Sequence, residues 1–116
     1  MSYKVIDAKY LKEISTSFVF IKKMIVLFEK NVAEFEREMY NALDDEDYMK
    51  LGELAHKAKS SVMIFGMKKQ SEEMKQLEFD AKNNKNKETF KQRVDDFIAA
   101  CKDALTDIEE LEKEFE

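Results

Sequence analysis

The chain has no proline and only two glycines, Gly52 and Gly66, in 116 residues. That scarcity of turn formers limits the fold more than any other feature, because a β-sandwich or barrel needs many of them. Two isolated glycines also cannot build a Gly-rich phosphate loop or a dinucleotide-binding fingerprint. Cys101 is the only cysteine, which excludes an internal disulfide and a cysteine-rich zinc site. His56 is the only histidine, so any catalytic or metal site that requires two imidazoles is excluded as well. With 44% hydrophobic and 39% charged residues, the chain can bury a core and keep a solvated surface. Its length suits one compact domain over residues 1–116.

The apolar residues recur with helical spacing almost throughout. From Ser17 to Leu43 the set Ile21, Met24, Ile25, Phe28, Val32, Phe35, Met39, Ala42 and Leu43 predicts a long amphipathic helix, with Ser15, Thr16 or Ser17 as N-cap. The acidic run Asp44-Asp45-Glu46-Asp47 marks a boundary, where Asp44 or Asp45 can cap a second helix. That helix runs to about Gly66 with Tyr48, Leu51, Leu54, Ala55, Ala58, Val62 and Phe65 inward, and Gly66 serves as its stop. A third, from about Lys68 to Lys82, turns Met74, Leu77 and Ala81 inward, with Gln70 at the same spacing. The Asn-rich stretch Lys82–Lys87 reads as a loop. Phe90, Val94, Phe97, Ile98, Cys101, Ala104, Leu105, Ile108, Leu111 and Phe115 outline a further long helix, in which Cys101 is a small core residue. Tyr3 to Ile14 suggests a short helix lying across one end. The expectation is all-α: an up-down antiparallel four-helix bundle with a short N-terminal helix across one end.

A net charge of −5 opposes nucleic-acid binding, which draws its affinity from neutralising phosphates. The longest unbroken apolar stretch, Met24 to Phe28, is far short of a membrane span. The wide apolar stripes satisfy one another rather than a lipid surface, and a monomer is expected. The beginning MSYKVIDAKYLK has no apolar signal-type core, and a cytoplasmic location is the expectation.

At 100° per residue, the inward positions of the second helix occupy an arc roughly 100° wide, and His56 falls about 150° from its centre. The ring therefore faces solvent. Lys59 at i+3 and Ser60 at i+4 flank it, and Gly52 at i−4 leaves the turn below bare. Met49, Met63 and Met67 follow on the exposed side, and Phe20 and Leu27 lie off the core stripe of the first long helix. Together they outline a candidate docking surface, since thioethers suit adaptable interfaces. An accessible neutral imidazole offers a nucleophilic lone pair, and a nearby ammonium offers a charge-assisted contact to an anion. The arrangement suits transient capture of a phosphoryl group, with the catalytic machinery supplied by a partner.

The segment Ala55-His56-Lys57-Ala58-Lys59-Ser60-Ser61-Val62-Met63-Ile64-Phe65-Gly66 resembles the signature of histidine-containing phosphotransfer (HPt) domains. That pattern is A-H-x-aliphatic-K-G-S/A-S/A, with a glycine ten positions after the histidine. His56, Lys59, Ser61 and Gly66 fall where the family has them, and a following Leu77-Glu78 matches more loosely. Ser60 stands where the family usually has glycine, and Ala58 where it usually has a bulky aliphatic. The resemblance implies a phosphorelay intermediate without turnover of its own. Such a domain takes a phosphoryl group on Nε2 from a receiver-domain aspartate and passes it to another receiver, of a response regulator or a hybrid histidine kinase. On this basis His56 is the phosphorylation site, Lys59 steadies the phosphoryl oxygens, and Ser60 and Gly52 admit the receiver's loops. No cofactor belongs to the chain itself; Mg²⁺ comes with the receiver. Family members occur free-standing or as the C-terminal module of a hybrid sensor kinase.

Two other readings fit the residues. One is a non-catalytic bundle that docks a partner through its methionine face. The other is a carboxylate-bridged metal enzyme, for which Glu53 and His56 supply one Glu-x-x-His spacing but no second histidine exists.

Overall fold

The structure is a computed structural model that describes residues 18–114. The short helix expected over Tyr3 to Ile14, the candidate caps Ser15, Thr16 and Ser17, and Phe115 lie outside the described residues. Among the described residues there are four α-helices and no strand: α1 (Phe18–Asp44), α2 (Tyr48–Met63), α3 (Lys68–Lys82) and α4 (Phe90–Glu114). A short 3₁₀ turn, Lys87–Thr89, leads into α4. The all-helical expectation holds, and the bounds of α3 are those its apolar spacing predicts.

The inward faces meet in one core. From α1 it takes Ile21, Ile25, Phe28, Val32, Phe35, Met39 and Ala42, and from α4 Phe90, Val94, Phe97, Ile98, Cys101, Ala104, Ile108 and Leu111. α2 adds Leu51, Ala55, Ala58 and Val62, and α3 adds Met74, Leu77 and Ala81. Each large side chain buried here contributes roughly 1.5–3 kcal/mol. Aromatic pairs stitch the elements together. Phe28 and Phe65 have ring centroids 4.7 Å apart, and Phe35 of α1 meets Phe97 of α4 at 6.3 Å. Tyr48 of α2 sits edge-on to Phe90 of α4 at 5.4 Å. α1 packs against α2 and α4, α3 packs against α4, and α2 and α3 lie most closely together. These contacts are compatible with a four-helix bundle.

All three turns between helices are closed in one way. The backbone N–H of Asp47 bonds to Ala42 O while that of Glu46 bonds to Leu43 O; Met67 and Gly66 repeat this with Val62 and Met63, and Lys85 and Asn84 with Asp80 and Ala81. Each is a Schellman motif, with the left-handed position taken by Glu46 (φ 54°), Gly66 (φ 70°) and Asn84 (φ 53°).

This geometry corrects two expectations. The N-cap of α2 is Asp47, whose Oδ1 accepts from Lys50 N at 3.1 Å, rather than Asp44 or Asp45. Asp44 is instead the last residue of α1, and the Schellman turn takes up the two residues between. Met67, expected on the exposed face, is 1% exposed and belongs to the core. It follows the left-handed Gly66, the position whose side chain folds back onto the last turn of the preceding helix, here onto the buried Val62.

Candidate functional site

α2 and α3 approach closely because α2 turns small residues, Gly52, Ala55 and Ala58, away from solvent. Ser71 of α3 locks the approach, its Oγ donating to Lys59 O at 3.2 Å. On the other flank, Asn31 Nδ2 of α1 donates to Ser61 Oγ at 3.2 Å. The helix carrying the histidine is thus held from both sides, and its outer ridge is rigidly presented.

His56 stands on that ridge with its side chain 61% exposed. Its Nδ1 lies 2.8 Å from Oε2 of Glu78 on α3. An ionised carboxylate can only accept a hydrogen bond, so Nδ1 carries the proton and donates. In the neutral ring the lone pair then resides on Nε2, which has no hydrogen-bond partner among the described residues.

Glu78 is the hub of the site. Lys82 Nζ donates to the same Oε2 at 2.8 Å, and Lys59 Nζ lies 3.7 Å from Oε1. The hydrogen bond from Lys82, chiefly, holds the Glu78 carboxyl below the usual carboxylate range against the opposing effect of burial, with His56 adding to the lowering. Lys59 is half-buried and makes no shorter contact with the carboxylate, so its ammonium can turn outward to an anion arriving at Nε2.

The other sequence-selected residues divide. Ser60 is exposed one turn beyond His56, and Met49 is exposed near the start of α2. Phe20 and Leu27 are exposed on α1, as expected. Met63 is half-buried, and Ile64 takes the outward position at the end of α2. Leu27 and Ile64 face each other across a shallow cleft between α1 and α2 that also includes Met24, Asn31 and Ser61. An apolar margin therefore adjoins the histidine, composed differently from the predicted methionine row. Gly66 holds the left-handed conformation expected of a stop.

Gly52 departs from its expected role. The turn below His56 is covered: a Cβ built on Gly52 would lie 2.8 Å from Lys82 Cγ and 3.3 Å from Lys82 Cε. The space belongs to the neighbouring helix rather than to an incoming loop. Glu78 entered the sequence reading only through its loose downstream match, and Lys82 only as a helix end. The i,i+4 spacing of Glu78 and Lys82 was visible, but their placement against His56 depends on how α2 and α3 are aligned.

No family model, curated protein or solved structure matches the chain.

Proposed function

We propose that the chain is a phosphorelay intermediate, in which His56 accepts a phosphoryl group from a receiver-domain aspartate and delivers it to another receiver. The observation that carries this reading is the solvent-facing His56 whose Nδ1–H is fixed on Glu78, leaving Nε2 as an outward lone pair. In the transfer, Nε2 attacks phosphorus and the bond from phosphorus to the aspartyl oxygen breaks, its electron pair returning to the carboxylate. The ring then carries a positive charge, which Glu78 balances through Nδ1–H. Lys59 steadies the phosphoryl oxygens, and exposed Ser60 leaves room for approach. The acidic pocket and Mg²⁺ belong to the receiver, and the chain has no turnover of its own. The fold that goes with this reading is an up-down antiparallel four-helix bundle, working in the cytoplasm. Among the described residues no helix is long and apolar enough to cross a membrane.

Incubation with a phosphorylated receiver gives an acid-labile, alkali-stable phosphoprotein. His56→Gln abolishes the label while the helical circular dichroism is unchanged. Equal labelling of the variant would refute the assignment.

The exposed Phe20, Leu27, Ile64 and Met49 support a second reading, a docking module that binds receivers without accepting phosphate. In that case the wild type binds a receiver and takes no label, and Leu27→Asp weakens binding while His56→Gln does not.

A further inference from the structure

We infer that Lys82, seated on Gly52, is a positioning residue that decides which ring nitrogen of His56 presents its lone pair to solvent. The inference rests on reading His56 as the phosphoacceptor.

Glycine weakens the interior of a helix, so Gly52 in the second turn of α2 calls for a local reason. The reason is spatial. The Lys82 stem crosses α2 where a side chain at position 52 would stand, with Cγ 2.8 Å and Cε 3.3 Å from an ideal Cβ there. The nearest backbone, Glu78 O, is 3.4 Å away, an ordinary contact. The gap at Gly52 therefore serves the lysine stem in particular. Laid along this seat, the stem brings Nζ to 2.8 Å from Glu78 Oε2.

That oxygen is also the acceptor of His56 Nδ1–H, at 2.8 Å. Two donors thus converge on one carboxylate oxygen, one from each side, and fix where it points. Lys59 approaches the other oxygen at 3.7 Å, too far to orient it. Without Lys82 the carboxylate loses its short anchor and its terminal torsion becomes free. Nδ1–H then has no fixed acceptor, and the neutral ring can move its proton to Nε2. A ring protonated there has no lone pair facing the solvent and cannot attack phosphorus.

The test follows the neutral ring by long-range ¹H–¹⁵N correlation in the full chain, alongside labelling by phosphoramidate, a small donor that needs no receiver. The wild type shows a predominantly Nδ1–H ring. Lys82→Met shifts the ring toward Nε2–H and slows labelling roughly tenfold, the scale on which outer partners tune an oriented imidazole. Lys82→Arg, with a similar stem and a cationic head, restores both. Gly52→Ala unseats the lysine and reproduces the Lys82→Met tautomer, and the double variant is no worse than Lys82→Met alone, as for two residues acting through one contact. An unchanged tautomer in Lys82→Met overturns the inference, whatever the labelling. A tautomer that responds while the wild type takes no label from phosphoramidate or a phosphorylated receiver upholds the positioning and overturns the phosphoacceptor reading.

Discussion

Asp80 shows how much one ion pair can do at the edge of this core. Its Oδ2 accepts from Arg93 Nη1 at 2.8 Å and from Asn86 Nδ2 at 3.4 Å, so a single carboxylate ties the end of α3 to the loop and the start of α4. The hydrogen bond from Arg93, chiefly, holds the Asp80 carboxyl below its usual range, and Asp95, bonded by the Tyr40 hydroxyl and Lys91, is lowered likewise. For a carboxyl with a lowered folded-state value, the stabilisation is present above the unfolded-chain pKa and is lost as pH falls through the folded one. The melting temperature should therefore hold down to about pH 4 and drop below it, since unfolded Asp titrates near 3.9. Asp80→Asn should melt lower at neutral pH and show a shallower acid decline; identical acid profiles for variant and wild type would remove Asp80 from this account. Tyr40 acts at the other extreme. Burial first, then its hydrogen bond to Asp95, pushes the phenol up to about 12, so its contribution is lost only as pH rises through that value.

At the scale of elements, the Schellman turns decide which side chains enter the core. Gly66→Ala forces a Cβ into the left-handed position and should cost about 1–2 kcal/mol. Met67→Ala empties a buried site and should cost about 2–5 kcal/mol. Urea unfolding measures both, and labelling at His56 should survive in each variant because neither residue touches the Glu78 cluster. The helices themselves were legible because long runs such as Ile21 to Ala42 keep their period without interruption. His56 was placed outward by angle alone, and its exposure agrees. Met67 was misplaced because a wheel extended past a helix stop assigns directions to residues that have left the helix. Gly66 held the missing signal, since a left-handed stop sends the following side chain back against the core. The Gly52–Lys82 seat and the Glu78 cluster were out of reach for a different reason. They depend on the axial offset between α2 and α3, which no single helix encodes.

The whole molecule is long and narrow, 45 × 21 × 20 Å, with a core that runs from Ile21 at one end of α1 to Ala42 at the other. A 27-residue helix spans about 40 Å, so α1 alone accounts for most of that length. Within the core sits Cys101, the chain's only thiol, fully buried and pushed up to about 12 by that burial. A thiol at that value is almost entirely protonated at neutral pH, and the thiolate is the reactive form. Alkylation should therefore be at least about a thousandfold slower in the native protein than in urea, given the usual 5–15 kcal/mol of domain stability. Equal rates would mean that the core is open around α4. The chain thus carries a built-in clock for its own breathing, a sulfur whose capture by a reagent counts the moments when four helices part.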